Sequence, residues 1–130
     1  MTRLNRTLAL AVTLALGLPL VAAAQGSGFT VDEALATRGK AVWTQRGCVS
    51  CHTFGKRGAG PDLVGVERRR STEWLKRWLT ETTQMLESDS IGQALLVEYK
   101  GVKMPQFKLP EGDVDALIHY MAKESGKKSK

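Results

Sequence analysis

Apolar residues follow two patterns along this chain: one unbroken run near the start, then short stripes of helical period. The run is LALAVTLALGLPLVAAA, from Leu8 to Ala24. After it, Leu35, Gly39, Val42 and Trp43 lie on or near one face of a predicted helix. That helix opens at Thr30-Val31-Asp32-Glu33, read as a capping box with threonine at N-cap and glutamate at N3, and runs to about Arg46, where Gly47 closes it. Ser71 caps a second helix, with Glu73 in its first turn and a stripe of Trp74, Leu75, Trp78 and Leu79. Ser88-Asp89-Ser90 starts a third, carrying Ile91, Ala94 and Leu95 before Gly101 stops it. The last runs from about Glu111, which lacks a good capping residue, to Lys123, with Val114, Leu117, Ile118 and Met121 at i, i+3, i+4 and i+7. From Phe54 to Arg70 the glycines and Pro61 break any period, so that stretch reads as a structured loop. GVKMPQFKLP reads as a second loop, and SGKKSK at the end as a solvated, mobile tail. With no strand pair and no internal repeat, the class is all-α, four or so short helices.

The leading run changes the picture of what folds. Arg3 and Arg6 precede it, and Ala22-Ala23-Ala24 end it before polar Gln25-Gly26-Ser27. Basic, apolar and small residues in that order make residues 1–24 a secretory signal to be cleaved, leaving one exported domain over residues 25–130. The alternative is an uncleaved membrane anchor, for which the run is short and interrupted by Pro19. Removing Arg3 and Arg6 lowers the net charge from +6 to +4. That mild excess can steer an acidic protein partner into contact. No aromatic-basic interleaving suggests nucleic acid. A chain of 130 residues, shorter once processed, builds only a small core and gains from something to pack around.

The candidate chemistry sits in CVSCH, Cys48 to His52, which holds both cysteines of the chain. A disulfide between Cys48 and Cys51 suits an exported protein but leaves His52 unexplained. A thioredoxin-like pair expects a βαβ context that this pattern lacks, and a zinc site needs four ligands better spread than Cys48, Cys51, His52 and His119. Cys-x-x-Cys-His is the attachment signature of a c-type haem. Each thiol forms a thioether with one vinyl group, and the adjacent histidine is placed to bind iron. One covalent haem c would also supply the apolar body that a small core lacks.

His52 alone leaves an iron position open. Met104 in KMPQF offers the sixth ligand, in a loop that Pro105 stiffens. A thioether is soft and neutral, and a histidine–methionine pair raises the potential. Met85 and Met121 are rivals: Met121 falls on a helical stripe and reads as core, and Met85 lies in a polar segment without a stiffening proline.

With these residues in hand, the sequence resembles a class I cytochrome c of the small bacterial periplasmic kind, from about Thr37 to Ala122. Gly39 and Trp43 match the glycine and aromatic of the first helix, although Trp43 to Cys48 is one residue longer than in mitochondrial relatives. GPDL (Gly60 to Leu63), Met104-Pro105 and LIHYM (Leu117 to Met121) match the proline loop, the methionine loop and the last helix. The resemblance implies that the Pro61 carbonyl accepts a hydrogen bond from His52, and that Leu117 and Tyr120 pack across Gly39 and Trp43. It places Arg69, eight residues after the proline, as a partner for a haem propionate, while the run Arg68-Arg69-Arg70 also reads as a solvated face. Trp74 or Trp78 is a weaker propionate donor, and His119 is expected to be exposed and not a ligand.

The implied function is that of a periplasmic electron carrier in a respiratory chain, not an enzyme, passing one electron between redox proteins. Lys56, Arg57, Lys103 and Lys108 flank the two haem loops and suit partners with acidic docking surfaces. Terminal oxidases, nitrogen-oxide reductases and sulfur-compound dehydrogenases all fit. Two alternatives remain: a tightly bound subunit of a larger oxidoreductase, docking through the apolar residues between Glu81 and Val102, or a haem peroxidase or gas sensor if Met104 is not a stable ligand.

Overall fold

The computed structural model describes residues 28–128, so the leader and the cleavage site lie outside the described residues. Six α-helices and one short 3-10 turn make up the architecture, with no strand among the described residues. The helices are α1 (Glu33–Gln45), α2 (Val66–Arg69), α3 (Thr72–Thr80), α4 (Thr82–Ser88), α5 (Ser90–Glu98) and α6 (Glu111–Lys128). The 3-10 turn, Cys48–Ser50, carries the start of CVSCH. No described helix is long and apolar enough to cross a membrane.

The core is built where α1 and α6 cross. Val42 and Trp43 from α1 meet Val114, Leu117, Ile118, Tyr120 and Met121 from α6, with Leu75 and Leu79 of α3 closing one side. Gly39 allows this crossing: a Cβ built there would lie 2.0 Å from the Ala116 carbonyl oxygen and 2.7 Å from Tyr120 Cβ. Ion pairs fasten the rims of the crossing, Arg38 to Asp113 at 2.7 Å and Lys123 to Glu33 at 2.5 Å.

Local chemistry departs from the sequence reading in several places. Asp32, not Thr30, caps α1: its carboxylate accepts the Leu35 N–H at 2.9 Å from an extended backbone. The Asp32 N–H in turn donates to His119 Nδ1 at 3.0 Å, and His119 packs against Phe29, so this histidine is half-buried rather than exposed. Ser71 does cap α3, accepting from Trp74 N–H at 3.2 Å. The loop from Phe54 to Arg70 contains a turn of helix, α2.

The segment holding Met85 is α4, a helix that its polar threonines concealed. Thr82 and Met85 are fully buried, and the Thr82 hydroxyl donates back to the Trp78 carbonyl at 2.6 Å, so its polarity is absorbed within the helical stack. Helix α6 also runs past its expected end at Lys123 to Lys128, more than one turn further. Ser125, placed in the solvated tail by its polar neighbours, is buried: it accepts the Gly65 N–H at 2.8 Å and donates to the Glu67 carboxylate at 3.1 Å. The tail is therefore helical to Lys128.

Candidate haem-binding site

One cavity of about 630 Å³ opens between the CVSCH turn, the proline loop, helices α3 and α5 and the methionine loop. Cys48, Cys51, His52, Pro61, Arg69 and Met104 all line it. The folding of the chain explains how they converge. Gly47 turns the chain out of α1 in a left-handed conformation (φ 69°), and the 3-10 turn then closes through Cys51 N–H and His52 N–H on the Cys48 carbonyl. Cys48 and Cys51 are both free thiols, so no disulfide competes for them. Burial pushes the Cys48 thiol up from its ordinary value, with its own backbone hydrogen bond and Arg46 pulling the other way.

His52 is fixed on two sides. Its Nδ1 lies 3.0 Å from the Pro61 carbonyl oxygen. A carbonyl can only accept, so Nδ1 carries the proton and donates, leaving Nε2 as the free lone pair. Behind the ring, Gly60 leaves room that no side chain could: a Cβ there would lie 2.5 Å from His52 Cε1. Trp43 stands 6.3 Å from the imidazole, within an aromatic cluster that joins Phe54 and Tyr120. Burial lowers the His52 pKa, and the bond to Pro61 offsets part of that, so the imidazole is neutral at pH 7 and able to donate its lone pair. The loop is tied in place by Asp62, whose carboxylate accepts from Gly55 N–H at 2.8 Å and Val64 N–H at 2.9 Å.

The arginine run divides. Arg69 and Arg70 line the cavity, but Arg68 pairs with Glu67 at 2.7 Å. Arg69 donates to the carbonyls of Val64 and Asp62, so its guanidinium braces the proline loop while lying at the cavity wall. Arg70 stands 5.4 Å over the Trp74 ring. Neither tryptophan N–H points to a free site: Trp74 donates to Asp89 Oδ2 at 3.3 Å, and Trp78 donates to the Met104 sulfur at 3.2 Å. Of the rival methionines, Met85 is absent from the cavity wall, whereas Met121 lines it from the core face of α6.

The expected docking residues are also sorted. Lys56, Lys103 and Lys108 are exposed and carry no ion pair among the described residues. Arg57 is engaged, bound to Glu98 at 2.7 Å and set 4.2 Å over the Tyr99 ring, which closes the proline-loop side of the cavity onto the end of α5. Of Leu86, Ile91, Leu95, Leu96 and Tyr99, which the alternative of a tightly bound subunit places on an outer apolar face, all but Ile91 line the cavity. A helical pattern does not reveal the cavity they face.

The profile of the cytochrome c family matches residues 36–125. The chain belongs to the cytochrome c family. Among solved structures it is similar to cytochrome c from Rhodothermus marinus, with 26% identity, a TM-score of 0.70, and coverage of 75% of this chain and 83% of that one. An engineered form of the Rhodothermus marinus protein, bound to a carbene intermediate, is 25% identical with a TM-score of 0.66, covering 76% of this chain and 84% of that one. The cytochrome c domain of the pp3183 protein from Pseudomonas putida is 40% identical with a TM-score of 0.61, covering 68% of this chain and 89% of the domain. A c-type cytochrome carries haem for electron transfer, and the donor set here fits one covalent haem c: two free thiols and an oriented imidazole on the wall of one large, mainly apolar cavity. Sequence reasoning missed the Trp78 and Asp62 bonds, because neither a ring N–H nor a short carboxylate reveals its partner before the loops are placed.

Proposed function

We propose that this cytochrome c is a periplasmic one-electron carrier whose iron is held by His52 and Met104. The observation that carries the reading is that both side chains are already held in place at one cavity, His52 by Pro61 and Met104 by Trp78. Haem c, when bound, supplies a one-electron iron couple. The residues of the chain do the rest. His52 keeps its Nδ1 proton on Pro61 and offers Nε2 as a strong donor. Met104 supplies a soft neutral ligand from a loop that its neighbours keep still, which favours the reduced form. With iron held by both His52 and Met104, no ligand position would be left for a substrate, which supports a carrier rather than an enzyme. Arg69, already braced on the proline loop, is a propionate partner at the wall.

Export through the leader of residues 1–24 puts the carrier in the periplasm. Its partners are redox proteins with acidic surfaces, drawn by the exposed Lys103 at the cavity wall and by Lys56 and Lys108, exposed on the loops flanking it in sequence. With Leu86, Leu95, Leu96 and Tyr99 on the cavity wall, Val97 and Val102 are the large exposed apolar side chains of that segment, a small face that supports brief docking over permanent association.

Absorption spectra of the exported protein test the reading: oxidised, reduced, and reduced under carbon monoxide. A low-spin spectrum unmoved by carbon monoxide is expected, with the weak red iron–thioether band lost in Met104→Ala and kept in Met121→Ala. Prompt carbon monoxide binding, or a high-spin spectrum, overturns it in favour of a haem enzyme or gas sensor.

A further inference from the structure

We propose that Trp78 is the positioning residue of the methionine ligand, holding the Met104 sulfur through its indole N–H and biasing the iron toward its reduced form. The inference rests on the reading of Met104 as ligand. A thioether sulfur has two lone pairs, so it can donate one to iron and accept a hydrogen bond with the other. Trp78 Nε1 stands 3.2 Å from that sulfur.

The indole is not free to turn. Its ring stacks on Trp74 at 5.0 Å with an interplanar angle of 11°. Trp74 is itself pinned, its N–H on Asp89 Oδ2 at 3.3 Å and Arg70 over its outer face. Asp89 is fixed in turn, because its other carboxylate oxygen caps α5 through the Ile91 and Gly92 N–H groups at 3.0 Å. The loop side is held as firmly. Gln106, two residues past Met104, donates to the Thr80 carbonyl at 2.5 Å and accepts the Thr83 N–H at 3.0 Å, spanning the junction of α3 and α4. Helix α3 thus carries both the donor for the sulfur and part of the anchor for its loop.

The direction of the electronic effect follows from charge. The positive end of the N–H dipole lies against the sulfur and draws electron density from it. Both effects oppose the extra positive charge of ferric iron and favour the ferrous form. A fixed dipole at a half-buried site is weakly screened, so the bias persists in solution.

The test uses the full haem-loaded protein with Trp78→Phe, and a second variant carrying benzothienylalanine at position 78, which keeps the bicyclic shape and lacks the N–H. Spectroelectrochemical titration and the ferric red band are read together. The expected result is a retained band with the reduction equilibrium constant lowered about three- to fivefold, the scale of one neutral hydrogen bond. At 59 mV per tenfold for one electron, that is about 30 to 40 mV. A retained band with an unchanged potential overturns the role of Trp78 and leaves Met104 as ligand. If Trp78→Phe loses the band through loosened packing, the benzothienyl variant decides, and an unchanged potential there overturns the proposal. Absence of the band in the parent protein is the separate failure of the Met104 reading.

Discussion

Replacing Gly39 with alanine should be among the most damaging single-methyl additions to this protein. The new Cβ would lie 2.0 Å from the Ala116 carbonyl oxygen, 2.5 Å from its carbonyl carbon and 2.7 Å from Tyr120 Cβ. Two of those atoms are backbone, so no rotamer change relieves the overlap. Helices α1 and α6 must move apart by about 1 Å or more to restore ordinary contact near 3.5 Å. That movement loosens Val42 and Trp43 from Leu117 and Tyr120 across the largest part of the core. Overpacking costs about 1 to 3 kcal/mol when side chains can adapt. Here backbone is opposed to backbone, so a loss of about 3 kcal/mol or more is expected. For a domain of this size that corresponds to a fall in Tm of about 12 to 24 °C. Thermal unfolding of the haem-loaded protein by circular dichroism measures it. Gly126→Ala is the internal control, since it lies in the partner helix α6 but a Cβ there meets nothing within 4 Å. Helix propensity alone should raise stability there by about 0.5 to 1 kcal/mol. If Gly39→Ala stays within about 1 kcal/mol of the parent, the helices slide freely and the steric account of their crossing is wrong.

Three further outcomes are expected. Asp62→Ala should cost about 1 to 2 kcal/mol at pH 7, because two backbone N–H groups lose a charged acceptor. The Val64 bond chiefly, against a little burial and with help from Gly55 and Arg69, holds the Asp62 carboxyl below its ordinary value of 3.8. Its stabilising share is therefore full at neutral pH and disappears as pH falls through the lowered value, so parent and variant unfolding curves should converge in acid. Ser125→Ala should cost about 1 to 3 kcal/mol by removing the acceptor of the Gly65 N–H, read as a lower denaturant midpoint. Arg57→Ala should cost no more than about 1.5 kcal/mol, since the Glu98 pair is half exposed and the contact with Tyr99 is a surface one. A larger loss would mean that this closure of the cavity supports the fold.

The parts of the fold legible in the sequence are those where one residue type decides. CVSCH is readable because covalent attachment admits few spacings, and Ser71 is readable because a hydroxyl before an apolar stripe has one good use. At the start of α1 the cap is Asp32 rather than Thr30, and the Asp32 N–H is received by His119, a partner distant in sequence that no local pattern reveals. Helix α4 was hidden because its helicity comes from tertiary burial of Thr82 and Met85, against the weak propensity of threonine. Ser125 looked like tail for the same reason: its partners, Gly65 and Glu67, come from another part of the chain. The inward faces of Leu95 and Tyr99 and the pairing of Arg57 depend on a cavity formed by several loops, which no local period encodes.

The contact between Ser125 and Gly65 also ties the site to a distant part of the chain. The loop that orients His52 is held at Gly65 by a side chain of α6, and Trp43, which stands beside the same imidazole, packs in a core that α6 completes. Unfolding of α6 alone would therefore free the histidine from both supports, so the binding pocket and the terminal helix should lose their order in one step.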